Sequence, residues 1–206
     1  MALSLAAALA LATQCAPAIA PETLLSVVQV ESRFEPLAIG VNGSPRIAMS
    51  PTSVEEAVGK AAALIAAGRN IDLGLAQINS KNLSWLGLSL QEVFDPCTNL
   101  TAAARILKDG YARGEAQRVG EQAALRTALS YYNTGHPARG LANGYVGKVT
   151  AAAGRLVPAL GAPGMGPEAS RVAETPAAAW DVFGDVGPAR GAFVTTVSIT
   201  TSGGSK

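Results

Sequence analysis

The chain's 206 residues carry 16 Lys and Arg against 15 Asp and Glu, a formal net charge of +1, and 49% of them are hydrophobic. That balance, with no run of Lys or Arg, leaves no electrostatic footprint for nucleic acid or for an anionic membrane surface. Ala, Gly and Leu dominate and strand formers are sparse before residue 190, which is the composition of a helical domain; the length suits one domain with an extension.

Ala2 to Ala12 is an apolar run, shorter than the roughly 20 residues that span a bilayer. Ala18-Ile19-Ala20 has the small-residue pattern of a signal-peptidase site, but no basic residue precedes the run. Pro21 suits a first helical position, with its fixed φ and no donor to waste, and opens an apolar stretch that reaches Val30. Counted in helical steps, Leu24, Val27, Val28 and Glu31 share one face, so a carboxylate ends the stripe that should meet the core. Burial disfavours the charged form of a carboxylic acid, as a general acid near neutral pH requires. The plain alternative is a helix-terminal Glu that reaches solvent.

Ser53-Val54-Glu55-Glu56 is a capping box before an Ala-rich helix that Gly68 should end. Ser89-Leu90-Gln91-Glu92 repeats the box before a short turn, and Asp95-Pro96 starts a helix that runs to about Tyr111, closed by Gly114. Glu121 to Tyr132 and Gly144 to Leu156 read as two further helices, separated by the Gly- and Pro-containing loop 134–140. Residues 158–190 cluster Pro, Gly and Ala without periodicity and predict a flexible tail. Within it, Trp180 and Phe183 are either noise or a docking motif, and Phe193 to Thr201 is β-branched enough for a strand that finds an edge. Cys15, Cys97 and the lone His136, which sits in a loop as ordinary surface, have no metal-ligand spacing; the two thiols suit a reduced pair in a cytosolic protein or a bridge in an exported one.

The blocks that carry chemistry are Glu31-Ser32-Arg33-Phe34-Glu35-Pro36-Leu37-Ala38, Gly74-Leu75-Ala76-Gln77-Ile78-Asn79, Phe94-Asp95-Pro96-Cys97, Ala128-Leu129-Ser130-Tyr131-Tyr132-Asn133-Thr134-Gly135 and Gly144-Tyr145-Val146-Gly147. In this order they resemble the lytic transglycosylases with a soluble-lytic-transglycosylase domain. The closest likeness is to the VirB-type peptidoglycan-cleaving subunit of type IV secretion and conjugation systems, over roughly Cys15 to Leu156. The resemblance implies an all-α, lysozyme-like domain over residues 1–157 with a low-complexity tail over 158–206, acting in the periplasm without a cofactor or metal. It makes residues 1–14 a first helix, since the Cys-Ala-Pro stretch is similar to part of the mature domain, and leaves the export signal unclear. For an exported wall enzyme it also implies a Cys15–Cys97 disulfide stapling two helix entries. Peptidoglycan strands are the implied substrate, and type IV secretion channel proteins the implied partners of the tail, with Trp180 and Phe183 as candidate anchors.

Cleaving a glycosidic bond usually takes two carboxylates, and the Glu31 block offers no obvious second one. Glu35 precedes Pro36, where the helix should already have ended; Asp72 and Asp95 flank motifs but also suit loop caps. The resemblance implies that Glu31 serves alone, first as acid to the bond oxygen and then as base to the muramoyl C6 hydroxyl, while the substrate's N-acetyl oxygen holds the cation at C1. The product would be a 1,6-anhydromuramoyl end. By the same resemblance Gln77 and Asn79 line the sugar cleft, and Tyr132 and Asn133 match the block whose tyrosine hydroxyl points at the glutamate. Tyr145 matches a cleft-wall tyrosine, and Ser32 either helps Glu31 or satisfies its own backbone. Tyr131 and Trp85 read as packing. Gly40 stands where the family's serine is expected and residues 41–73 form a long insertion, which puts that serine's support of an oxazolinium intermediate in question. Two rivals remain: a hydrolytic muramidase using Asp72 or Asp95, and an assembly factor acting through its tail.

Overall fold

The computed structural model describes residues 1–160 apart from 44, 46 and 115–118. Eight α-helices run in chain order among the described residues: α1 Leu5–Cys15, α2 Pro21–Glu31, α3 Val54–Ala66, α4 Leu83–Leu86, α5 Pro96–Arg113, α6 Glu121–Thr134, α7 Arg139–Ala142 and α8 Tyr145–Leu160. Helix α2 is the central one. Its residues Thr23 to Val28 are all buried, on every side of the helix rather than along one stripe, as in a core helix; the two polar ones are Thr23 and Ser26, whose hydroxyl donates to the Glu22 carbonyl. Helix α8 lies along it with Val146, Val149, Ala152 and Ala153 buried.

Helices α5 and α6 explain the richness in Ala and Gly. They pack along each other so closely that a Cβ on Gly110 would stand 3.1 Å from the Cα of Ala128, and one on Gly114 2.9 Å from the Cα of Ala124. Cys15 and Cys97 are joined by a disulfide, Cα–Cα 5.3 Å, tying the last residue of α1 to the first turn of α5.

The capping signals are local and most are realised as written. Ser53 accepts the Glu56 N–H at 3.1 Å, although the Glu56 carboxylate reaches back to the Thr52 N–H, one residue earlier than a strict box. Ser89 and Glu92 close a reciprocal box at 2.8 and 3.2 Å, and Asp95 caps α5 through the Thr98 N–H.

Composition gave no hint of a sheet, yet a small one is present. Strands β1 Ile39–Val41, β2 Ile47–Met49, β3 Ile71–Leu73 and β4 Ile78–Asn79 form an antiparallel sheet in the order β2-β1-β3-β4. The insertion 41–73 leaves from β1 and returns on β3, which pair directly, Gly40 opposite Asp72. Helix α3 is thus an excursion between neighbouring strands and its two ends meet, which limits its loop-closure cost. The other departure is at the end of α8, which runs through Pro158 to Leu160, past the boundary at 157. The tail beyond it, with Trp180, Phe183 and the strand expected near 193–201, lies outside the described residues.

Candidate active site

Glu31 is the last residue of α2, half-buried at the mouth of a cleft of about 720 Å³. The chain turns sharply behind it: Arg33 and Phe34 both take left-handed backbone, φ 55° and 67°, which non-glycine residues adopt at a cost of about 1–3 kcal/mol. Buried Phe34 anchors that turn in the core, so the packing that ends α2 also fixes where Glu31 points. The Ser32 hydroxyl faces the Val28 carbonyl at 3.4 Å, a backbone bond within the last helical turn.

The Tyr145 hydroxyl donates to Glu31 Oε1 at 2.6 Å. Burial first, then the charge of Glu31, then Tyr132 and the hydrogen bond itself push the Tyr145 phenol well above its ordinary 10, so it remains a donor across the working pH range. Tyr132 was expected in that place. Its hydroxyl instead donates to the Ala76 carbonyl at 2.6 Å. The reason is the helix each tyrosine rides on: α6 delivers Tyr132 over the turn at 74–77, while Tyr145 opens α8, the helix packed against α2. Burial, Glu31 and Asp72, in that order, raise the Tyr132 phenol as well.

The turn at 74–77 is held by a residue that sequence reading passed over. Asn99, buried on α5, accepts the Ala76 N–H at 2.8 Å and donates to the carbonyls of Leu73 and Val93 at 3.0 and 2.6 Å. Gly74 sits at φ +76° directly against it, where an added Cβ would stand 2.3 Å from Asn99 Nδ2. Gln77 follows at φ +51° and gives its amide hydrogens to the Ala38 and Gly74 carbonyls, both at 3.0 Å. Gln77 lines the cleft. Asn99 stands two residues after Cys97, so extending that block would have reached it.

Asp72, in the middle of β3, shares the cleft with Glu31. Asn79 Nδ2 donates to one of its oxygens at 2.7 Å and Asn42 Nδ2 to the other at 3.0 Å. Asn42 was not foreseen; nothing in the sequence announces that β1 brings it beside Asp72. Asp95 stays at the N-cap of α5 and is not part of the cleft wall. Asn133 lines the cleft and accepts from Asn143 at 2.8 Å. Trp85, expected in the core, is 49% exposed on the cleft wall, its indole N–H on Asn82 Oδ1 at 3.2 Å and the Arg105 guanidinium 5.4 Å from its ring centre. Tyr131, also expected to pack, lines the far end, with Arg113 over its ring at 5.8 Å. Among the described residues no cluster of three or more His, Cys, Asp or Glu comes together that could hold a metal ion.

The family described as the transglycosylase SLT domain matches residues 8–153. Protein virB1 of Agrobacterium fabrum (strain C58 / ATCC 33970) is 42% identical over 173 residues, 84% of this chain and 69% of that protein. Type IV secretion system protein virB1 of Brucella abortus biovar 1 (strain 9-941) is 45% identical over 151 residues, 70% of this chain and 63% of its own length. Protein virB1 of Rhizobium radiobacter is 44% identical over 175 residues, 84% of this chain and 70% of the relative. The chain thus spans about two thirds of the length of these relatives. No solved structure matches it.

Proposed function

This chain belongs to the transglycosylase SLT-domain family, and on that premise we propose that it is a peptidoglycan lytic transglycosylase that opens the cell wall for a type IV secretion or conjugation apparatus. The observation that carries the reading is Glu31, held at the end of a buried helix on the cleft and fixed there by the Tyr145 hydroxyl at 2.6 Å. Glu31 is the acid: it protonates the oxygen between N-acetylmuramic acid and N-acetylglucosamine, and the muramoyl N-acetyl oxygen closes on C1 as the bond breaks. Glu31, now a carboxylate, takes the proton of the C6 hydroxyl, O6 attacks C1, and the acetamide is restored. The product is a 1,6-anhydromuramoyl end, and no water is consumed. Tyr145 is a positioning residue, donating to the carboxyl that must both give and take the proton.

The open, amide-lined cleft suits a glycan strand. Asn79, Asn133 and the Gln77 carbonyl read N-acetyl and hydroxyl groups, with Trp85 as an aromatic platform. The disulfide is at home in an oxidising compartment and supports the periplasm as the site of action. Among the described residues no helix is long and apolar enough to cross a membrane. Partners in the secretion channel would be met by the tail, with Trp180 and Phe183 as anchors.

The test is Glu31→Gln, which keeps the shape and loses the proton. It should fold with an unchanged melting temperature and lose about a thousand-fold or more of its activity on purified sacculi. Mass analysis of the muropeptides released by the unaltered protein should find anhydro ends. A tenth of the activity surviving in the variant removes Glu31 from the mechanism, and reducing ends carrying solvent oxygen replace the transglycosylase with a muramidase.

A further inference from the structure

The cleft holds a second carboxylate that the mechanism above leaves unused. Asp72 is at the centre of the three-residue strand β3, and its register partner on β1 is Gly40, which has no side chain to occupy the space beside it. Cross-strand partners lie on the same face of a sheet, so Gly40 puts no side chain beside the Asp72 carboxyl, while Asn79, its partner on β4, stands on the other side.

Its surroundings are unusual for a surface aspartate. Asn42, the residue after β1, and Asn79 on β4 each donate an amide N–H to a different oxygen, at 3.0 and 2.7 Å. A carboxylate has about four acceptor positions, and the two asparagines take one on each oxygen. The pair fixes the plane of the carboxylate. Glu31 and Asp72 both line the cleft, and the charges of both bear on the Tyr132 hydroxyl.

The chemistry of the reaction supplies a ligand for such a group. When the N-acetyl oxygen closes on C1, the nitrogen of the new five-membered ring carries a positive charge and keeps its one N–H. A fixed carboxylate that accepts this N–H stabilises the ring, and stabilises it more than the neutral acetamide of the ground state, which is the condition for raising kcat. We infer that Asp72, clamped by Asn42 and Asn79, receives the N–H of the muramoyl N-acetyl group and stabilises the oxazolinium intermediate. Resting on the transglycosylase reading, this makes Asp72 a catalytic residue. No proton needs to leave the nitrogen: the hydrogen bond forms as the C1–O4 bond breaks and weakens as O6 reopens the ring to the acetamide.

The experiment compares Asp72→Asn with the unaltered protein on purified sacculi, and measures binding of two probes. One is the N-acetylglucosaminyl-N-acetylmuramic acid disaccharide. The other is its muramic thiazoline analogue, in which sulfur closes the ring that the intermediate would form. Asp72→Asn should lower kcat by about 100- to 1,000-fold with little change in KM. The thiazoline should lose at least about ten-fold in affinity while the disaccharide stays within about two-fold. The few products that remain should still be anhydro ends. If Asp72→Asn does not fold, Asn42→Ala, which removes one clamp and leaves the carboxylate, should give about a ten-fold loss of kcat with the same thiazoline-selective loss. Survival of a third or more of kcat in the variant tested, or parallel loss of both affinities, overturns the inference and leaves the transglycosylase reading standing. Solvent oxygen at reducing ends released by the unaltered protein overturns both, since Asp72 would then serve water.

Discussion

On one side of the cleft Glu31, Tyr132 and Tyr145 stand on α2, α6 and α8, helices held together by apolar side chains, Ala and Gly. On the other, Asn42, Asp72, Gln77 and Asn79 belong to strands of two or three residues and the turns between them, held by amide hydrogen bonds. The helical side resists movement because close-packed small residues leave no room for it. The sheet side is too small to bury much, and its geometry depends on each polar group keeping its partner. The group proposed to transfer the proton is thus mounted on the stiff half, and the groups proposed to read the sugar on the half whose shape is set by hydrogen bonds.

Cutting the staple on the helical side should have the largest effect on stability. The Cys15–Cys97 bridge closes a separation of 82 residues, and on the chain-entropy model its loss costs about 4 kcal/mol. The double variant Cys15→Ser/Cys97→Ser should show that deficit in denaturant titration, with its remaining folded fraction still active. A deficit under about 1 kcal/mol would mean that the helices need no staple.

Asn99→Ala tests the joint between the two halves. It strands a buried N–H on Ala76 and the carbonyls of Leu73 and Val93, for about 2–4 kcal/mol. Because those groups hold the turn that carries Gln77, KM on sacculi should rise as well. A stability loss with KM unmoved would detach the turn from substrate binding.

The smallest effects separate the tyrosines. Tyr145→Phe removes the bond to Glu31 and should lower kcat by about 10- to 100-fold, with stability changed by no more than about 1 kcal/mol. Tyr132→Phe removes a bond to a backbone carbonyl, and should cost about 1 kcal/mol of stability with a lesser effect on kcat. The opposite ranking in kcat would return Tyr132 to the place first expected for it.

The same division decides what could be read from the sequence. Helices announce themselves locally, through Pro21, the Ser53 and Ser89 boxes and Asp95-Pro96, and each of these begins an element where expected. Strands of two or three residues are shorter than one test of alternation, and β2 is largely exposed, so hydropathy could not separate it from a loop. Asp72 was noticed as a flanking residue and as a muramidase's second carboxylate, but not as part of a sheet. That Gly40 stands opposite it and that Asn42, 30 residues away, closes on it are facts of register between distant segments. The tyrosines show the limit within a helical motif: Tyr132 was expected to point at the glutamate and Tyr145 to stand on the cleft wall, and only the docking of α8 against α2 shows that Tyr145 is the one that touches it.

That contact also governs when the molecule can act. Glu31 and its phenolic partner are 114 positions apart, on the second helix and the last one described. A chain still emerging, or one cut before α8, has the acid but not the group that holds it. An agent that opens the cell wall is safest when it is weak until folded, and here a residue made 114 positions after the proposed acid completes the site.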